Sequence, residues 1–404
     1  MTKFSLIAAI ILAICSTTNA ETLVIRATTV HTMAGPAISD GVVIVEDGKI
    51  TRVGAAASIP VPQGARVLSA AVVTPGLIDA HSVVGLTGYL NQDQDQDQLD
   101  LTDAIQPELR AIDSYNPNEL LIGWLRGFGI TTVHTGHAPG ALVSGQTMIV
   151  KTTGNTVDEA LIKPVAMVAT RLGVDARGDA KSPGTRSKAV AMLRAELLKA
   201  QNYQKKMGAE DEKKRPDRDL RMETLGRVLT GELPLLVTAN RSTDMLSAIR
   251  VAKEFGFKLV IDGAAEAYLI SDEIKAAGVP VIIHPTMARS GRGETENISF
   301  ETAAKLRAAG IPTALQSGYE SYVPKTRVVL FEAGIAAANG NSFNDALSMI
   351  TIDAAKILGI AERVGSLEPG KDADLALFDG DPFEFTTHCI GVVINGKIVS
   401  EEAR

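Results

Sequence analysis

Residues 235–263 read LLVTANRSTDMLSAIRVAKEFGFKLVIDG. Leu235–Ala239 is an apolar run of strand length, and Leu259–Gly263 is a second one. The alanine-rich amphipathic stretch between them has helical period and stops at Gly256, where an αβ turn wants a left-handed residue. Strand, helix, strand in so few residues implies a crossover, hence parallel pairing. The unit recurs on both sides. ITTVHTG (130–136), VPVIIHP (279–285) and IPTALQS (311–317) are further short strands, ETAAKLRAAG (301–310) is a further helix, and Gly278 and Gly310 stand at the same capping position. Residues 76–360 therefore read as a parallel sheet wrapped by helices.

The two ends of the chain have a different style. TLVIRATTV, GVVIVEDGKI and ARVLSAAVV near the start, and ADLALFDG and GVVINGKIV near the finish, are strands, with Asp47-Gly48 and Asn395-Gly396 as tight-turn signals. Neither end can bury both faces of a sheet alone. The expectation is one composite β-sandwich from 21–75 and 361–404 beside a barrel over 76–360. The 404 residues carry a net charge of −7, which argues against a nucleic-acid partner and leaves small molecules as clients. Lys3, the apolar run 5–14 and Thr18-Asn19-Ala20 read as a leader over 1–20 removed on export to a periplasmic or extracellular location. No other stretch is long and apolar enough to span a bilayer. Cys389 is then the one thiol of the mature chain, so no internal disulfide forms.

Two segments break the strand–helix rhythm. Residues 201–223, dense in both charge signs around Pro216, read as a solvated excursion between helices. Gln92–Gln98 (QDQDQDQ) would align Asp93, Asp95 and Asp97 on one side of an extended chain, either as a cation site or as a polar loop near the barrel mouth.

The segment Thr74-Pro-Gly-Leu-Ile-Asp-Ala-His81 resembles the first barrel strand of metal-dependent amidohydrolases, the imidazolonepropionase-like and dihydroorotase-like enzymes. The run from Val364 to Pro382 (VGSLEPGKDADLALFDGDP), followed by Val393-Ile-Asn-Gly-Lys397, is similar to the return strands of their small sandwich. Gly129–Val133 and Ile350–Ala355 fit between them. The resemblance implies a TIM-like (β/α)8 barrel and hydrolysis of carbon–nitrogen bonds other than peptide bonds, by metal-activated water at the barrel's C-terminal mouth. It also implies specific ligands: a His-x-His pair after strand one, a mid-barrel lysine or glutamate, a histidine after each of strands five and six, and an aspartate after strand eight. Only His81 stands at such a position. Val83, Ala169, Asn240, Gly263 and Gly318 occupy the others, and only asparagine among these offers a donor.

Bottom-up, the chemistry-bearing residues just past strand ends are the candidates. His134, His137, Asn240 and His284 are candidate catalytic groups, Lys151, Arg241, Glu266 and Gln316 candidate substrate contacts, and His81 the candidate metal ligand. No Gly-x-Ser-x-Gly elbow occurs, and Ser290-Gly-Arg-Gly293 lacks the strand, lysine and helix of a phosphate-binding loop. Two functions stay open: a hydrolase with a reduced or remodelled metal site, holding at most one zinc-type divalent ion or none, and a catalytically inactive barrel that binds a small molecule or partner protein. A homo-oligomer is compatible with either.

Overall fold

The computed structural model describes residues 22–90, 92–173, 183–291, 293–319 and 327–404. The expected leader and Arg292 lie outside the described residues.

Seven strands form one sheet in the order β16-β15-β14-β4-β1-β2-β3: β1 (Leu23–Val30), β2 (Ile38–Glu46), β3 (Lys49–Ala55), β4 (Arg66–Pro75), β14 (Leu375–Phe378), β15 (Cys389–Ile394) and β16 (Lys397–Ser400). The seam between the two chain ends is the antiparallel pair β4–β14, with Leu375 opposite Pro75 and Phe378 opposite Val72. Ile25, Val43 and Val45 share a buried cluster with Leu375, Leu377 and Val393, so strands from both ends cover the same apolar face. Both turn signals are realised with positive φ: Asp47 50° and Gly48 76°, Asn395 50° and Gly396 74°. The two turns also touch, since a Cβ on Gly396 would lie 2.7 Å from the Gly48 Cα.

A second sheet runs β13-β12-β11-β10-β9-β7-β6-β5, with β8 paired to β7. Its strands are β5 (Leu77–Ser82), β6 (Ile130–Gly136), β7 (Val143–Lys151), β8 (Leu161–Lys163), β9 (Val168–Arg171), β10 (Leu235–Ala239), β11 (Leu259–Gly263), β12 (Val281–Ile283) and β13 (Thr313–Ala314). The Ala80 amide donates to the Leu315 carbonyl at 3.2 Å, which nearly closes the first strand onto the last. The fold is thus a TIM-like barrel with a composite sheet beside it.

One strand departs from the parallel expectation. β7 runs antiparallel to both β6 and β9. Only 137–142 separate β6 from β7, too few for a crossover helix, so the chain can only turn back. Elsewhere the helices close as their sequence predicts: Ser242–Phe255 and Ser271–Ala277 end in left-handed Gly256 (φ 77°) and Gly278 (φ 64°).

The charged stretch 201–223 is more ordered than a solvated excursion. Residues up to Met207 complete the helix Arg186–Met207, and those from Leu220 begin the helix Leu220–Leu229. The QDQDQDQ segment is likewise not extended. Asp93–Asp95 form a single 3-10 turn, and the Ala138 amide donates to the Gln98 carbonyl at 2.7 Å, tying this loop to the end of β6. Among the described residues no helix is long and apolar enough to cross a membrane.

Candidate active site

Leu236, Val260, Ile282 and Ala314, from four adjacent strands, pack in one buried cluster with Ile78 and Met167. Side chains two residues apart on a strand share a face. The next residues toward the C-terminal mouth are therefore Thr238 and Asp262 on β10 and β11, and Gln316 just past the end of β13, while His284 follows the end of β12. An apolar floor is overlain by polar groups, as barrel chemistry requires.

Asp262 is the hub of that layer. Its Oδ2 accepts from the Thr238 hydroxyl at 2.5 Å, and its Oδ1 accepts from Gln316 Nε2 at 2.7 Å. Oδ1 also lies 3.1 Å from His81 Nδ1, both side chains being fully buried. That approach is short but poorly aligned, so it is a close polar contact rather than a well-formed hydrogen bond. Burial raises the Asp262 carboxyl, yet the nearby His81 and these donors together hold it below its ordinary value. Among the described residues the remaining ring nitrogen, His81 Nε2, has no hydrogen-bond partner, nor has Gln316 Oε1. The Tyr319 ring lies against His81 at 5.5 Å between centroids.

A second carboxylate lies on the same strand as His81. Asp79 accepts from the Ser317 amide at 3.0 Å and the Ser317 hydroxyl at 2.5 Å. Complete burial outweighs these bonds and pushes its pKa up to about 6. The folded state therefore holds this proton more tightly than the unfolded state does. The resulting stabilisation is full below about pH 4 and is lost as pH rises through about 6. At 1.36 kcal/mol per unit, the loss approaches about 3 kcal/mol. Asp79→Asn, which can still accept from the Ser317 amide, is expected to flatten the stability curve between pH 4 and 7. An unaltered curve in denaturant titrations across that range would contradict this account of Asp79.

The candidate histidines are brought together only in part. His134 stacks near His81 at 5.7 Å, but its Nδ1 lies 2.7 Å from the Ala80 carbonyl and its Nε2 2.6 Å from the Thr147 hydroxyl. The first contact needs a proton on Nδ1, and burial pushes the pKa down to about 3, so His134 is a neutral link among β5, β6 and β7. His284 is likewise engaged, with Nδ1 2.9 Å from the Pro285 carbonyl and Nε2 3.3 Å from the Thr302 hydroxyl. Burial lowers it to about 4. His137 sits beside the loop 92–100, its pKa lowered chiefly by burial against the opposing charges of Asp100 and Asp97. Arg241 and Glu266 pair with each other at 3.0 Å, and Asn297 and the Ser242 amide also donate to Glu266.

Lys151, expected as a substrate contact, lies away from the barrel mouth. It pairs with Thr132, four residues below the mouth end of β6, and its ammonium lies 2.8 Å from Asp372 and 3.0 Å from Asp374 of the composite sheet. Sequence reasoning missed Asp79 and Asp262, although the two-residue step up from Val260 was legible.

The donor set does not fit a two-metal zinc centre. Val83 is fully buried and apolar, Ala169 has no donor, and glycines stand at 263 and 318. Asn240 Oδ1 is packed where a Gly263 Cβ would come within 2.8 Å. His81 Nδ1 already faces a carboxylate. Among the described residues no three His, Cys, Asp or Glu side chains gather in a ligating arrangement.

Comparison with known proteins gives the wider setting. A model of the amidohydrolase family matches residues 323–399. An imidazolonepropionase from Rhizorhabdus wittichii is 24% identical over 393 residues, covering 86% of this chain and 91% of that protein. One from Porphyromonas gingivalis is 25% identical over 390 residues, covering 90% and 88%. Among solved structures, an amidohydrolase from Thermotoga maritima is 32% identical, with a TM-score of 0.88 over 94% of this chain and 100% of that one. A zinc-bound adenosine deaminase from Xanthomonas campestris shares the fold alone, at 16% identity and a TM-score of 0.55. With the Thermotoga protein matched along its whole length at that identity, the chain belongs to the amidohydrolase family, hydrolases of carbon–nitrogen bonds other than peptide bonds.

Proposed function

We propose that this barrel hydrolyses the carbon–nitrogen bond of a small amide or cyclic amide, of the imidazolone type that its relatives' names indicate, using His81 and Asp262 where the family uses two metals. The observation that carries the reading is the buried His81–Asp262 contact, with Nε2 unpartnered among the described residues. A carboxylate beside Nδ1 favours the proton there and leaves Nε2 as the basic nitrogen. Nε2 takes a proton from water as the water oxygen bonds to the carbonyl carbon. Collapse of the adduct breaks the carbon–nitrogen bond, and the imidazolium returns its proton to the departing nitrogen. Asp262 stabilises the transient imidazolium, while Thr238 and Gln316 fix the carboxylate.

The test is ring opening of five-membered cyclic amides by the purified protein, with metal content measured on the same sample. The expected result is turnover that survives exhaustive chelation, with fewer than two divalent ions per chain. Two tightly held ions, or activity lost to chelator and restored by zinc, would sink the proposal. The binding-only reading draws on the complete burial of His81, Asp79 and Asp262. It predicts saturable binding of the same compounds with no product.

A further inference from the structure

At the opposite end of the barrel, where Pro234, Lys258 and Pro280 lead into their strands, lies an open cavity of about 910 Å³. That size suits a small organic ligand. Leu246, Ile249, Phe257 and Ile357 line it with apolar surface. Its rim is cationic: Arg250, Lys253 and Lys258 line the same cavity, and all three are exposed. Lys163 stands close by. Burial, then the charge of Lys258, push its ammonium below its ordinary value.

Ordinary helix capping does not use up this charge. The helices Ser242–Phe255 and Ser271–Ala277 both end at the cavity, in Gly256 and Gly278. Each helix end carries roughly half a negative charge, and Glu273 on the rim adds one more. Three cations line the cavity against these, so about one positive charge remains uncompensated. Neither Lys163, Lys253, Lys258 nor Arg250 has an ion-pair partner among the described residues; Arg250 donates only to the Ser247 hydroxyl, at 2.8 Å. The contrast with Arg307, held by both Asp345 and Asp353, shows what a satisfied surface cation looks like in this protein.

We propose that this cavity is a second binding site, separate from the barrel mouth, for an amphipathic monocarboxylate whose hydrocarbon part lies on the apolar floor and whose carboxylate meets Lys253 and Lys258. The apolar lining disfavours a bare phosphate or a polyanion, and the rim disfavours a neutral lipid. The site does not depend on the proposed hydrolysis.

Decanoate is the probe, titrated calorimetrically into the full chain, with decanol as the uncharged chain of equal length. Saturable one-to-one binding of decanoate is expected, at least tenfold tighter than decanol. Lys253→Glu/Lys258→Glu should weaken decanoate at least tenfold with an unchanged melt, both side chains being exposed. His81→Gln should leave its affinity intact. Equal affinity for decanol, indifference to the double reversal, loss of binding in His81→Gln, or no saturable binding at all would each overturn the proposal.

Discussion

Lys151→Ala is expected to cost about 3–5 kcal/mol of stability and to lower the melting temperature by roughly 5 °C. The Lys151 side chain is 3% exposed and bridges β7 of the barrel to the composite sheet, meeting Asp372, Asp374 and the Asn395 side chain. The two carboxylates would fare differently in the variant. Asp372 also has Lys49 at 2.6 Å and Arg363 at 2.8 Å, both half-exposed, which together with Lys151 hold it down to about 2 against its burial. Among the described residues Asp374 has only the Asn395 amide besides Lys151, and burial already raises its carboxyl while the lysine is present. Without the amine it must either carry a buried, unpaired charge or take up a proton. A raised carboxyl destabilises the fold above its unfolded pKa and ceases to do so once protonated. The deficit should therefore shrink as pH falls toward 4. Lys151→Met/Asp374→Leu should recover more than half of it, because removing both partners leaves no buried charge unpaired, and the exposed Asn395 can turn its freed groups to solvent. A loss under about 1 kcal/mol in denaturant melts at pH 7 would mean that the bridge is incidental to the seating of the sheet.

Lys151 also marks the limit of what the chain reveals when read linearly. The unit 235–263 and the glycines at 256 and 278 could be read locally, because helix period, strand length and left-handed caps are encoded within a few residues. The turns Asp47-Gly48 and Asn395-Gly396 were legible for the same reason. That these two turns touch, and that Lys151 reaches a carboxylate 221 residues away, has no local signature. The reversed β7 lay in between. Its apolar run was visible, but strand direction depends on the length of the connection before it, and only the short 137–142 segment fixes that. The site was half legible. His81 was found by resemblance, whereas Asp262 and Asp79 looked like ordinary strand residues until the barrel's interior layering gave them positions above Val260 and beside Ser317.

That layering also decides how His81 has to be tested. His81→Ala would open a cavity in a fully buried polar layer and leave Asp262 one neighbour short, so a fall in activity and a fall in stability would arrive together. His81→Gln keeps a side chain of similar reach, whose amide can still donate to Asp262, but supplies no basic nitrogen. With turnover by the proposed route, His81→Gln should lower kcat on the order of 10²–10⁴-fold, with the melting temperature within a few degrees of wild type. Asp262→Asn removes the negative charge while Thr238 and Gln316 keep a polar partner. It should fall into the same range, with KM little changed in both, because each removes stabilisation made only as the imidazolium forms. Combined, the two changes should cost little more than either alone, since the carboxylate acts only through the ring it faces. Additive losses would place Asp262 in a separate role, and wild-type kcat in His81→Gln would remove the histidine from the chemistry. If neither variant nor wild type turns over, yet His81→Gln alone abolishes binding of the cyclic amide, the layer has kept the family's recognition and lost its catalysis.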